Sequence, residues 1–295
     1  MGAGAPVGAT ARAKVNLYLH VVGRRPDGYH LLDSLVVFAD VGDRLTAVPA
    51  TELTLAIDGP FADGLGDGSD NLVMRAGLAL RAALGGDTPG AALRLTKNLP
   101  VAAGLGGGSA DAAAALRLLS RLWDRQLPPG RLEALALSLG ADLPVCLAGG
   151  PRLVGGIGED VVPPPALPPA WLVLANPRLP VATAAVFRER QGPFSAAGRW
   201  REVLPDAAAL AAALAERGND LAAPARRLAP VIGEVLDELA ALPGCLIARV
   251  SGSGATCFGL FADAAAATRA AERLAGRRPP WWVAAAPMLT ADGAD

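Results

Sequence analysis

Apolar and polar positions alternate strictly over residues 11–22. Ala13, Val15, Leu17, Leu19 and Val21 fall on one side, and Lys14, Asn16, Tyr18 and His20 on the other. A period of two predicts a half-buried strand with a polar working face. Shorter strand patterns follow at SLVVFADV (34–41), RLTAV (44–48) and LTLAI (53–57), separated by turn residues. The period then changes. Leu72, Val73, Ala76, Leu80 and Leu84 recur at helical spacing, which predicts a helix capped by Asp70 and running to about residue 84. AALRLT (91–96) reads as a strand leading into a glycine-rich run. A second helix is expected from Ser109 to Trp123, and a third over 131–139 with Gly140 as a left-handed terminator.

The proline-rich stretch 163–169 (PPPALPP) reads as a stiff connector and marks the clearest boundary, dividing the chain into 1–162 and 163–295. Beyond it the pattern predicts a strand at WLVLANP, helices near 183–190, 206–216 and 226–241, strands at CLIARV and TCFGLF, a helix over 263–276 and a strand at WWVAAA. Strands interleaved with helices in both halves predict an α+β chain in two lobes. No repeat is visible.

Composition narrows the class. With 295 residues, 52% of them hydrophobic, there is material for two cores. Lys plus Arg number 27 and Asp plus Glu 28, a balance that argues against a nucleic-acid partner. No run of ~18 apolar residues free of Pro, Gly clusters or charge predicts a membrane span, and the start of the sequence lacks a signal-peptide centre. Cys146, Cys245 and Cys257 are too few and too scattered for a metal knot or a disulfide framework. Buried, inert thiols and a reducing cytoplasm are expected. Of the 27 basic residues only two, Lys14 and Lys97, are lysine. Positions that keep a compact ammonium suit phosphate binding as a point charge.

The run Pro100-Val101-Ala102-Ala103-Gly104-Leu105-Gly106-Gly107-Gly108-Ser109-Ala110-Asp111 is the strongest chemical signal. Glycines let the backbone approach a ligand closely, and the helix that follows offers free N–H groups and the positive end of its dipole. The loop is built for phosphate. It is no Walker A loop, because no Gly-Lys-Ser/Thr closes it, and no dinucleotide fingerprint, because Ser109 takes the place of the last glycine.

PVAAGLGGGSADAA resembles the second motif of the GHMP kinases, the superfamily of galactokinase and the homoserine, mevalonate and phosphomevalonate kinases. AKVNLYLHVVGRRPDGYHLLDS (13–34) is similar to the first motif, in the form found in the branch whose acceptor is a cytidine diphosphate ester of methylerythritol. SLGADLPVCLAGG (138–150) and ARVSGSGATCFGLF (248–261) extend the likeness over about residues 12–261. The resemblance implies a two-lobed fold, with a nucleotide-binding lobe followed by a ferredoxin-like C-terminal lobe. It implies ATP as donor, Mg2+ with it, and a cytoplasmic monomer or weak dimer.

The likeness also implies roles. Asp142 and Lys14 match the catalytic aspartate and lysine, although the setting of Asp142, after Gly-Ala, by itself suits a helix N-cap. Residues 100–110 would wrap the nucleotide phosphates, with Ser109 also near the metal. Lys97, Asn71 and Leu72 would wall the adenine side. For the acceptor, the cytosine would stack between Tyr29 and Phe187 with His30 alongside, Asn16 would reach the erythritol hydroxyls, and Ser251, Gly252, Ser253 and Gly254 would turn the chain close to the substrate. Phe187 would equally suit a helix core, and the SGSGAT glycines a structural turn. Two other readings compete: another GHMP kinase with a small aliphatic acceptor, and a non-catalytic GHMP-fold binding protein. GRRPDGYH speaks against the first, and the joint presence of Lys14 and Asp142 against the second.

Overall fold

The alternating segment forms a strand longer than its pattern, β1 (Val7–Arg24), paired antiparallel with β2 (His30–Ala50). The computed structural model describes residues 7–85 and 88–291. The two strands expected at 34–41 and 44–48 are one. Register shifts between Arg12 and Ala13 and between Asn16 and Tyr18 bend the β1–β2 ribbon without ending it. The bend lets β2 serve two neighbours. Its first half, residues 32–36, pairs with β5 (Arg152–Gly156), and its second half, residues 44–50, pairs with β4 (Gly90–Thr96). β3 (Leu53–Asp58) lies parallel to β4, and β6 (Asp160–Val162) closes the far edge on β5.

One face of this sheet carries helices. α1 (Leu72–Leu84) turns Val73, Met74, Ala76 and Leu80 inward. Its cap is Asn71 and not Asp70: the Asn71 Oδ1 accepts from the Val73 N–H at 2.9 Å. α2 (Gly107–Leu122) begins two residues before the expected Ser109, and its alanines, Ala110 and Ala112–Ala115, are buried. Small side chains on every face let this helix sit inside the lobe, between α1, β1, β2 and α4 (Leu143–Ala148). α3 (Pro129–Leu139) ends at Gly140, but φ there is 170°, extended and not left-handed.

The second sheet is antiparallel, ordered β10 (Trp282–Pro287), β7 (Trp171–Asn176), β9 (Cys257–Phe261), β8 (Ile247–Val250). Helices α5 (Thr183–Glu189), α6 (Ala207–Ala215), α7 (Ala222–Leu228) and α8 (Val231–Ala240) intervene between β7 and β8, and α9 (Ala264–Arg277) between β9 and β10. This is the βαββαβ order with outer strands last and second, which is the ferredoxin-like arrangement. The helix expected over 226–241 is two, α7 and α8, because Pro230 has no N–H to continue the first.

The half-buried reading of β1 is corrected by the packing of the two sheets. Val15 and Leu17 share a core with Leu172, Leu174 and Phe258 of the second sheet. Lys14 and Asn16, on the polar side, are themselves only 6% and 4% exposed. The Leu289 N–H donates to Phe38 O, and Leu19 exchanges backbone hydrogen bonds with Gly218 and Asp220. The proline-rich segment is also drawn in: Leu167 and Ala170 are buried in the shared core. β1 therefore forms the floor of the cleft, and its polar side chains reach what lies in it.

Candidate active site

A cavity of about 1480 Å³ runs along this floor. It exceeds the ~300–1,000 Å³ of an ordinary single-ligand pocket, so it has room for a donor and an acceptor together.

The phosphate loop forms one wall. Gly104 adopts φ 74°, and a Cβ there would lie 2.6 Å from Gly254 O and 2.7 Å from Ser251 O. Only glycine allows the second-lobe segment 251–256 to pack so closely against the loop. Gly106, at φ 61°, occupies the N-cap of α2 and contributes no side-chain cap, so the first N–H groups of the helix stay available to a ligand. Pro100, Val101, Ala102, Ala103, Gly104, Gly106, Gly107, Gly108 and Ser109 line the cavity. Leu105 and Ala110 do not; both are buried in the core.

Lys14 passes beneath the loop. Its backbone N–H donates to Leu105 O at 2.9 Å, and its Nζ lies 3.1 Å from Asp142 Oδ2 and 3.3 Å from Asn16 Oδ1. The lysine side chain is 7% exposed and the Asp142 side chain 51%. Asp142 stands at the N-cap of α4, yet its carboxylate makes no cap hydrogen bond. It faces the cavity with Lys14 as its ion-pair partner.

Asn16 is held from two sides. Its Nδ2 donates to Ser34 Oγ at 2.8 Å, and Ser34 Oγ donates on to Tyr18 O at 2.5 Å. Its backbone N–H donates to Ser251 Oγ at 3.2 Å, and that hydroxyl donates to Gly104 O at 3.2 Å. Ser251 is therefore a buried bridge between β1 and the phosphate loop, off the cavity wall, and Gly254 is likewise off it. Gly252 and Ser253 are on it. Tyr18, on the same strand, is committed elsewhere. Its hydroxyl donates to Asp33 Oδ1, and burial together with that carboxylate pushes its pKa above the usual phenol value.

Lys97 does not face the adenine side as a free cation. Its buried Nζ donates to Asp43 Oδ2 and, at 2.7 Å, to Asp111 Oδ2. Asp43 Oδ1 accepts from the N–H groups of Asn98 and Leu99. Burial works against the Lys97 charge, but the two carboxylates outweigh it and its pKa is raised. Burial raises that of Asp111, with Asp43 adding to it and Lys97 opposing. The triad ties α2 to β2 and to the segment after β4. Asn71 and Leu72 do line the cavity, together with Gly64, Leu65 and Gly66. The Asn71 amide is spent on its cap and on Gly66 O, so that stretch of wall offers backbone and apolar groups.

At the other end Tyr29, His30 and Phe187 all reach the wall. Tyr29 is 58% exposed, and Phe187 stacks on His30, with ring centroids 4.9 Å apart and planes at 23°. Burial, then Arg24 and Arg190, hold the His30 pKa below its usual value. Sequence reasoning missed Ser34, Asp43, Thr183 and Asn219. Thr183 Oγ1 bonds Ser253 Oγ at 2.9 Å, and Asn219 Nδ2 donates to Val250 O and Gly252 O. No local pattern marks them, since each acts on a partner remote in the chain.

A resident metal finds few protein ligands: among the described residues no group of three His, Cys, Asp or Glu side chains is placed to hold an ion. The cysteines are inert, with Cys146 pushed up to about 12 and Cys245 to about 11 by burial. No helix among the described residues is long and apolar enough to cross a membrane.

The GHMP kinases N terminal domain family matches residues 71–150, and the GHMP kinases C terminal family residues 199–278. The chain is 57% identical over 280 residues to the 4-diphosphocytidyl-2-C-methyl-D-erythritol kinase of Paramagnetospirillum magneticum, covering 95% of this chain and 98% of that one. It is 56% identical over 275 residues to the protein of the same name from Rhodospirillum rubrum, covering 93% and 90%. A crystal structure of a 4-(cytidine 5'-diphospho)-2C-methyl-D-erythritol kinase superposes with a TM-score of 0.77 at 37% identity, covering 96% of this chain and 99% of that one. A homoserine kinase from Cytophaga hutchinsonii shares the fold at 18% identity and a TM-score of 0.71.

Proposed function

The chain belongs to the GHMP kinase family, among its 4-diphosphocytidyl-2-C-methyl-D-erythritol kinases, and we propose how its residues divide the work. It is an ATP-dependent kinase of that compound, in the non-mevalonate route to isoprenoid precursors. The hydroxyl phosphorylated is the one at carbon 2.

Residues 1–162 serve as the ATP lobe and 163–295 as the acceptor lobe. ATP lies with its phosphates on the N–H groups of Gly104–Ser109 and its base against Asn71 and Leu72. Mg2+ would accompany it, and the Ser109 hydroxyl, on the cavity wall, is the protein group that would help hold it. When bound, the ion neutralises charge on the transferred group. The acceptor lies with its base against Tyr29, His30 and Phe187 and its polyol against Asn16.

The observation that carries this reading is the Lys14–Asp142 pair, 3.1 Å apart, on the wall of the cavity that the phosphate loop and the Tyr29-His30 turn also line. Asp142 orients the attacking hydroxyl and takes its proton as the oxygen bonds to the γ-phosphorus and the bond to ADP breaks. Lys14 pairs with Asp142 and stands near the phosphoryl oxygens. The test is coupled ADP release with three acceptors. Turnover is expected with the cytidylyl compound and not with homoserine or mevalonate; the reverse pattern contradicts the assignment.

A further inference from the structure

The cavity wall is not electrically even. Lys14 is matched by Asp142, Lys97 by Asp43 and Asp111, and Asp27 by Arg25 at 2.8 Å. Among the described residues, two cations at the acceptor end, Arg24 and Arg188, have no such match, and a third, Arg190, has only a long one. Arg24 is exposed, and among the described residues its Nε donates to a carbonyl, Gly28 O at 3.1 Å, and to no carboxylate. Arg188, the residue after Phe187, is exposed on the wall and has no hydrogen bond or ion pair among the described residues. Arg190 is 7% exposed. It donates to the carbonyls of Gly192 and Pro193, and its Nε has no partner. Its ion pair with Asp220 is long, 3.9 Å, and that carboxylate also accepts from the Val21 N–H and the Ser195 hydroxyl. Arg24 is the register partner of His30, and the Arg190 N–H donates to Phe187 O, so both line the cavity beside the His30–Phe187 stack.

We propose that Arg24, Arg188 and Arg190 form an anion subsite holding the diphosphate of the acceptor, an inference that rests on reading that acceptor as a cytidine diphosphate ester. Guanidinium groups suit this task, because their planar fork pairs with phosphate oxygens two at a time. Arg190 is a fixed charge built into the wall; Arg24 and Arg188 have free donors that close on the ligand.

The test uses the full-length protein with its donor site filled by a non-hydrolysable ATP analogue, and calorimetric binding of CDP and of cytidine. The protein is expected to bind CDP at least ~10-fold more tightly than cytidine, a preference that falls with added salt. In Arg24→Gln/Arg188→Gln the preference should shrink to within about threefold, and the KM for the cytidylyl acceptor should rise ~10-fold while the KM for ATP moves less than about twofold. Arg190 is left in place, since it also fastens the turn at 192–193. Equal affinity for CDP and cytidine, or a CDP preference unchanged in the double variant, overturns the subsite. If the unaltered enzyme phosphorylates the cytidylyl acceptor and the variant matches it, the subsite alone falls. If the unaltered enzyme refuses that acceptor, the reading of the acceptor falls with it.

Discussion

Lys14 Nζ lies 3.1 Å from Asp142 Oδ2, joining the first strand of the chain to the start of α4 across the floor of the cleft. The two groups act as a unit, so their losses should not add. Lys14→Met should lower kcat by ~10²–10⁴, and Lys14→Met/Asp142→Asn should fall little further. Steady-state kinetics of the two single variants and the double one check this. Fully additive losses would mean that the pair works as two independent groups.

Ser34 lines the cavity and fixes the amide of Asn16 by accepting from its Nδ2 at 2.8 Å. Ser34→Ala leaves that buried donor unpaired and frees Asn16 to turn away from Lys14. The expected result is a roughly tenfold fall in kcat with an unchanged KM for ATP. A rise in the KM for ATP with kcat intact would place Ser34 on the donor side instead.

Lys97 lines the cavity, but its Nζ is held in a buried triad with Asp43 and Asp111. Lys97→Met removes the counter-ion from two buried carboxylates and should cost ~3–5 kcal/mol of stability, read as a lower urea midpoint. A variant as stable as the parent, but with weakened ATP binding, would restore the direct role expected from the sequence.

That pairing shows what sequence can and cannot carry. The alternation over 11–22, the glycine run and the helical stripe of 72–84 are local, and each became the element expected. Lys97 finds Asp43 at a separation of 54 residues, and nothing in VGDRLT announces a buried carboxylate. Asp70 and Asn71 are both good caps, and the choice fell to the one whose amide also reaches Gly66 O. Phe187 was legible as an aromatic of the second lobe, but its stacking on His30 and not on Tyr29 depends on how α5 meets the β1–β2 turn. Burial of both faces of β1 was hidden for the same reason. One strand's period records its own two sides, and the second sheet that covers them lies more than a hundred residues away.

The glycines of the phosphate loop should separate into two kinds. Gly104→Ala places a Cβ 2.6 Å from Gly254 O at positive φ and should destabilise the lobe contact, lowering the melting temperature. Gly108 has nothing within 4 Å of its would-be Cβ, so Gly108→Ala should fold normally and instead raise the KM for ATP. Thermal melts beside ATP kinetics distinguish these outcomes; equal effects of the two substitutions would contradict the packing described.

His30 should titrate below the usual imidazole value of 6.5, because burial, Arg24 and Arg190 disfavour its charged form. Its neutral form therefore persists as pH falls through 6.5, and protonation comes only at lower pH. With two histidines in the chain, proton NMR follows His30 directly. Arg24→Gln should move its midpoint upward, and no movement would exclude Arg24 as a cause.

The central claim is that Asp142 takes the proton of the attacking hydroxyl. Single-turnover phosphorylation by Asp142→Asn, with Mg-ATP and the cytidylyl acceptor both saturating, tests it most directly. The account predicts product formation slowed ~100-fold or more, with affinities for both ligands within about threefold of the parent. A single-turnover rate near that of the parent, with both ligands bound, would contradict it.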